Sequence, residues 1–295
     1  MSRIIVNRAE EPALPACFAL LPMLAAPETI VFAARDADGT LAGAAGLLWR
    51  SWRDPPGMPV WIHVLPDRRR RGVGGALMTA LAGVAAGGLD LLWAARPLAE
   101  DSDGAAFARA RGFVVDHRQL FFEADSRKML EYGLGIVARL ERNGLPAGAR
   151  IVGLGDAPLD DVVRLVTQEF HAAPPQLAEM IRHAMIEDPA TAPIDRGGSY
   201  VLLVDDAPAG ALLSRRTADG AAQVICNVVS PKWRGGWANA ALVVAFDRAA
   251  VAAGCFRVRF DCGENVRDTI GLARRGGATL VRTESLLRYA LASPR

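Results

Sequence analysis

Lysine is almost missing from this chain: Lys128 and Lys232 stand alone among 34 Lys and Arg residues. Against 32 acidic residues the formal net charge is +2. That balance gives no general pull toward nucleic acid, so no nucleic-acid partner is expected. Cysteine is scarce as well. Cys17, Cys226, Cys255 and Cys262 show no metal-type pair spacing, and Cys255 and Cys262 read as buried thiols of a reducing compartment. Of the four histidines, His171 and His183 fall on different expected helices and do not make a metal pair. No metal site is therefore expected. No uncharged run reaches transmembrane length and no signal peptide opens the chain. A membrane partner is not expected, and a cytoplasmic location is.

The residues that are present describe a globular protein. The chain is 51% hydrophobic and 22% charged, outside the range of disordered sequences. Its 295 residues suffice for two ordinary domains. Strands are expected at 2–7, 29–34, 41–49, 60–65, 89–94 and 114–122, with helices at 12–24, from the glycine turn to Gly87-Gly88, and at 104–110. Asp38-Gly39 marks a hairpin turn, and Gly87-Gly88 a helix end. A helix at 126–143, amphipathic through Met129, Leu130, Leu134 and Val137, reads as a connector packed between two domains. The order then repeats, closing with a strand at 280–291.

The repetition can be read residue by residue. Pro66 matches Pro231, Arg69 matches Arg234, Leu77 matches Leu242 and Gly112 matches Gly277, all at a separation of 165. One separation held over more than forty residues without a gap indicates a tandem duplication.

The most informative stretch is Val64-Leu65-Pro66-Asp67-Arg68-Arg69-Arg70-Arg71-Gly72-Val73-Gly74-Gly75. A proline ends an apolar strand, then arginines and glycines precede a helical pattern through Leu77 and Leu81. The N–H groups at a helix start lack intrahelical partners, and the dipole there favours negative charge. Glycine allows close backbone approach, and arginine adds forked donors. No Gly-Lys-Ser/Thr follows, so this is not a Walker loop, and no G-x-G-x-x-G opens the helix.

Arg69-x-x-Gly72-x-Gly74 after a Val-x-Pro strand end resembles the acetyl-CoA pyrophosphate loop of the GNAT superfamily of N-acetyltransferases. Both halves are similar to that family. The resemblance implies an α/β (α+β) fold: two GNAT-like domains, each a mixed, mostly antiparallel sheet flanked by helices. The expected division is a GNAT domain at 1–125, a connector at 126–148 and a degenerate GNAT domain at 149–295. The resemblance also implies acetyl-CoA as cosubstrate. Ile62, His63 and Val64 would offer backbone groups to its pantetheine. Arg70, Arg71, Gly72, Val73, Gly74 and Gly75 would wrap the diphosphate, with Arg69 bracing the loop. Arg111-Gly112-Phe113 matches the family's Gly-Phe.

Two departures matter. Trp237 and Asn239 stand where Gly72 and Gly74 stand, so one donor site is expected, in the first half; Gly235-Gly236 offer an alternative turn shifted by one residue. The family's thiolate-protonating tyrosine is replaced by Ala108, and by Ala273 in the second half. His63 is the candidate base, since histidine's ordinary pKa suits taking a proton from an amine near neutrality; a packed strand histidine is the other reading. Trp49-Arg50-Ser51-Trp52-Arg53 is read either as an acceptor wall or as a packing loop. The expected function is direct acetyl transfer to the amine of a small molecule or peptide, by a monomer (a pseudo-dimer of two domains) or a homodimer. The alternative is an acyl-CoA-binding sensor without turnover.

Overall fold

A computed structural model describes residues 4–26, 28–49, 56–85, 90–142, 146–170, 176–187 and 192–291. The segment 50–54, Gly87-Gly88, Asn143-Gly144 and His171 lie outside the described residues.

The elements follow in chain order. The first are β1 (Ile5–Arg8), α1 (Leu14–Leu20), β2 (Thr29–Arg35), β3 (Leu41–Leu48), β4 (Met58–Val64), α2 (Val73–Ala85), β5 (Leu91–Ala94), β6 (Leu98–Ala99), α3 (Asp103–Ala110) and β7 (Val114–Asp125). There follow α4 (Ser126–Arg142), β8 (Ala149–Gly153), α5 (Leu159–Glu169), α6 (Leu177–His183), β9 (Tyr200–Val204) and β10 (Ala207–Arg216). The last are β11 (Ala222–Val229), α7 (Trp237–Ala252), β12 (Arg257–Gly263), α8 (Arg267–Arg275) and β13 (Thr279–Ala290).

The chain forms two compact units. One comprises Met1–Arg118 with Glu284–Arg295, the other Gln119–Thr283. This division differs from the expected 1–125 and 149–295. The connector helix α4 packs against α7 within the second unit, where a Cβ on Gly133 would stand 2.6 Å from Val244. Met129 of the expected stripe is buried there, whereas Leu134 is left exposed. The first unit's closing strand comes from the end of the chain: Arg288, Tyr289 and Ala290 of β13 pair with Trp93, Leu92 and Leu91 of β5. In the second unit, Gln119–Asp125 of β7 pairs antiparallel with β12.

In the first unit the strands run β1-β2-β3-β4-β5-β13, with the short β6 also on β13. All neighbours are antiparallel except β4 and β5. A parallel pair needs a crossover, which α2 provides. Its residues Val73, Leu77, Leu81 and Ala85 recur at helical spacing and are buried. They close over Leu47, Met58, Val60, Leu92 and Leu287. On the other face Cys17 and Leu21 of the α1 region meet Val31, Ala33 and Ala44. In the second unit the order is β7-β12-β11-β10-β9-β8. Adjacent residues there take opposite faces: Leu202 and Leu212 pack with α7, Leu203 and Leu213 with α5 and α6.

The duplication is visible in the backbone. Leu65 and Ser230 open matching 3-10 turns, Pro66–Arg68 and Pro231–Trp233. Gly112 and Gly277 both take positive φ, at 88° and 78°.

Candidate functional site

The parallel register between β4 and β5 is short. It covers Met58, Pro59 and Val60 against Leu92, Trp93 and Ala94, and ends with the Ala95 N–H donating to the Val60 carbonyl at 2.9 Å. Beyond that point β4 continues along β3 to Val64 without β5. Backbone groups alternate along a strand, so those of Ile62 and Val64 point to the side Val60 shares with β5. A wedge with main-chain donors and acceptors on one wall is the result.

The wedge leads to the arginine-glycine loop. Arg70 and Gly72 both adopt positive φ, at 60° and 85°. A Cβ on Gly72 would meet nothing within 4 Å, so this is an open concave turn. The first helical hydrogen bond of α2 runs from Ala76 N–H to Gly72 C=O, which leaves the N–H groups of Val73, Gly74 and Gly75 without intrahelical acceptors. The arginines divide their work. Arg68 pairs with Asp36 at 2.6 Å and Asp67 at 2.8 Å. Arg69 donates from Nε to the Val64 carbonyl at 3.3 Å, tying the loop to the strand end. Arg70 and Arg71 are exposed and have no carboxylate partner among the described residues. Backbone donors, a helix start and two unneutralised guanidinium groups favour an anion.

Gly74 and Gly75 serve a different purpose from Gly72. A Cβ on Gly74 would stand 3.0 Å from the Phe107 ring, and one on Gly75 would stand 2.5 Å from the Arg111 guanidinium. Their missing side chains let α2 approach α3 and Arg111. Ala108 is buried in the core, and Tyr289 is engaged with Phe113, ring centroids 5.3 Å apart.

The face of His63 is fixed by its neighbours. Val60, Ile62 and Val64 pack on the α2 side, whereas Trp61 packs with Cys17, Leu21 and Leu24 on the opposite side. Alternation puts His63 with Trp61. Burial, together with the charges of Arg69 and Arg96, holds the His63 imidazole below its ordinary value of 6.5. That favours its neutral form. Arg96 lies over the Trp61 ring, 4.9 Å from its centroid. The sequence reading missed this pair; alternation with His63 and the position just after β5 were the available signals. Trp49 lies elsewhere, lining a groove of about 470 Å³ with Arg8, Glu28, Thr29, Ile30 and Val84 at the far end of α2. Arg50, Ser51, Trp52 and Arg53 lie outside the described residues. Among the described residues, no cluster of His, Cys, Asp or Glu could hold a metal ion.

The second unit repeats the wedge and closes the loop. The β11–β12 register covers Ala222 and Gln223 alone. Arg234 repeats the brace, donating from Nε to the Val229 carbonyl at 2.8 Å and pairing with Glu169. Gly235, at φ 72°, matches Arg70. The helix then starts at once with Trp237, which packs on the core and stands edge-on to Trp233 at 6.2 Å. Asn227, at the place of Ile62, donates to Asn239, at the place of Gly74, over 2.7 Å. No turn equivalent to Gly72 remains.

Comparison with known proteins places this geometry. The sequence has no match among curated proteins. Solved structures share its fold, and three of them illustrate it. One is described as a unique GCN5-related glucosamine N-acetyltransferase region in a fungal multi-domain GH3 β-N-acetylglucosaminidase (14% identity, TM-score 0.61, 98% of this chain). This chain spans 38% of that protein's length. Another is a tandem GNAT protein from the clavulanic acid biosynthesis pathway (18% identity, TM-score 0.56, 99% of this chain and 100% of that one). A third is a GCN5-related N-acetyltransferase from Sphaerobacter thermophilus (15% identity, TM-score 0.56, 98% and 96%). Identities this low carry the fold alone. The sequence profile of the Acetyltransferase (GNAT) family matches residues 5–113. The span runs from β1 through the wedge and the arginine-glycine loop to the Gly-Phe pair.

Proposed function

We propose that the protein transfers the acetyl group of acetyl-CoA to an amine, using the first unit as its one donor site. The carrying observation is the wedge beyond Val60 that leads to an open, anion-attracting loop within the span that matches the GNAT family. The diphosphate would sit on the free N–H groups of Val73, Gly74 and Gly75, beneath Arg70 and Arg71. The pantetheine would lie along β4, hydrogen-bonded to Ile62 and Val64 backbone groups. The second unit, its loop filled by Trp237 and its strand β11 tied to α7 by Asn227 and Asn239, would act as scaffold.

The chemistry needs little from side chains. An amine nitrogen attacks the thioester carbonyl carbon, and the carbonyl oxygen takes up the negative charge. The Ile62 N–H, aimed into the wedge, would stabilise that oxygen. His63, neutral and on the face opposite α2, would take the proton that the attacking nitrogen loses. The C–S bond then breaks and coenzyme A departs as a thiolate. With Ala108 at the family's tyrosine position, water would protonate the thiolate. Holding both reactants in one cleft supplies much of the acceleration.

The test is coenzyme A release measured with a thiol reagent, full-length protein, acetyl-CoA and a panel of amines. Amine-dependent release is expected. Saturable acetyl-CoA binding with no release from any amine would instead mark a binding protein.

A further inference from the structure

The wedge has a cation at its apex, where β4 and β5 part, that no part of the donor reading uses. Val60 receives the last backbone bond from β5, through the Ala95 N–H, and Arg96 is the next residue. It is exposed, and its guanidinium lies 4.9 Å over the Trp61 ring centroid. Trp61 is itself held in place, packed with Leu24, Leu48 and Ala95 and with Cys17 and Leu21. A guanidinium stacked on an anchored ring keeps a fixed plane and leaves its N–H edges free for bidentate binding. Among the described residues Arg96 has no carboxylate partner.

We propose that the acceptor is an amine that also carries an oxyanion, a carboxylate or phosphate, held by Arg96 over Trp61 beside His63. This rests on the acetyl-transfer reading. An amine without an anion would bring a positive charge to a face where both charges acting on His63 belong to arginines, Arg69 and Arg96. An oxyanion on the same molecule removes that conflict and meets the geometry a guanidinium fork accepts. Arg96 is badly placed for the donor's phosphates. Val60 and the loop after Val64 lie at opposite ends of a stretch of β4 about 13 Å long at ~3.3 Å per residue.

The experiment compares kinetics of coenzyme A release by full-length wild-type, Arg96→Gln and Arg96→Lys proteins. The acceptors are α-amino acids, aminoalkyl phosphates and matched amines lacking the anion. The wild type is expected to prefer an anionic set, and the better of the two identifies the oxyanion. Arg96→Gln should raise KM for that set about ten- to hundredfold, the scale of a lost charge-assisted pair. Arg96→Lys should recover part of it, and KM for acetyl-CoA should stay unchanged. Preference for amines without an anion overturns the inference and leaves acetyl transfer intact. So does an unchanged preference in Arg96→Gln, or a raised KM for acetyl-CoA. Binding of acetyl-CoA with turnover of neither class removes the transfer reading and this inference with it.

Discussion

Arg70 and Gly235 stand 165 residues apart and make the same left-handed turn, at φ 60° and 72°. Glycine takes that conformation freely, whereas a side chain costs about 1 kcal/mol there. The first loop keeps an arginine at a strained position where its sister has relieved the strain. Arg70→Gly is therefore expected to raise thermal stability by up to about 1 kcal/mol while weakening acetyl-CoA binding. A melt and a titration on the same preparation check both signs; tighter or unchanged binding would deny Arg70 a part in the anion site.

Stoichiometry follows from the same pair of loops. Titration of the whole chain with acetyl-CoA should end near one equivalent, because Trp237 begins its helix where Gly72 leaves an open turn. Two equal tight sites would contradict this.

His63→Ala should lower turnover by roughly two to four decades, the range for a positioned base, with little change in acetyl-CoA affinity. The folded pKa lies below 6.5, so the wild-type rate should fall on the acid side of neutrality as the imidazole gains its proton. The variant should lack that limb. A variant that keeps both its rate and its acid limb would make His63 a packing residue.

Residues 1–125 expressed alone should not form a stable, acetyl-CoA-binding domain, since they lack β13. Leu287 is fully buried in the core beneath α2. Ser285 donates to Glu100 at 2.6 Å, and that bond, with Arg118, keeps the Glu100 carboxyl below its ordinary value. In the full chain Leu287→Ala should cost about 2–5 kcal/mol. Circular dichroism of the fragment decides; a folded 1–125 would remove the requirement.

Asp247 on α7 is 1% exposed, and its Oδ2 has no hydrogen-bond partner among the described residues. Burial pushes the carboxyl from 3.8 up to about 8. The unfolded chain thus ionises where the folded chain does not. Stability is greatest below the unfolded value, declines as pH rises through the interval, and levels above the folded value. Asp247→Asn should remove that slope and gain about 1–3 kcal/mol near pH 8. Parallel melting curves across pH test this, and identical slopes would refute it.

Much of this was legible in the sequence. Pro66, Gly72 and the constant separation of the repeats announced a strand-loop-helix unit made twice, and Trp237 announced where the second copy departs. The destination of the closing strands was not legible. The segments near 114–122 and 280–291 each read as the last strand of their own half, and their apolar alternation fits either sheet edge equally well. The role of Gly74 was hidden for a related reason. Its neighbour Phe107 is distant in sequence, and close approach of helices leaves no local pattern. The face of His63 needed the register of β4 against β3 and the helices on either side.

The late arrival of β13 has a consequence for synthesis. A ribosome makes β1 to β5 first, yet the strand that shields the edge of β5 follows only after nearly all of the second unit. Throughout the intervening translation the donor-site half waits with Leu91 and Leu92 unpaired on that side, a sticky edge of the kind that invites association between nascent chains. The second unit, from Gln119 to Thr283, has all its strands before then. Maturation of the protein should therefore run against the direction of its sequence, with the half made later becoming whole first.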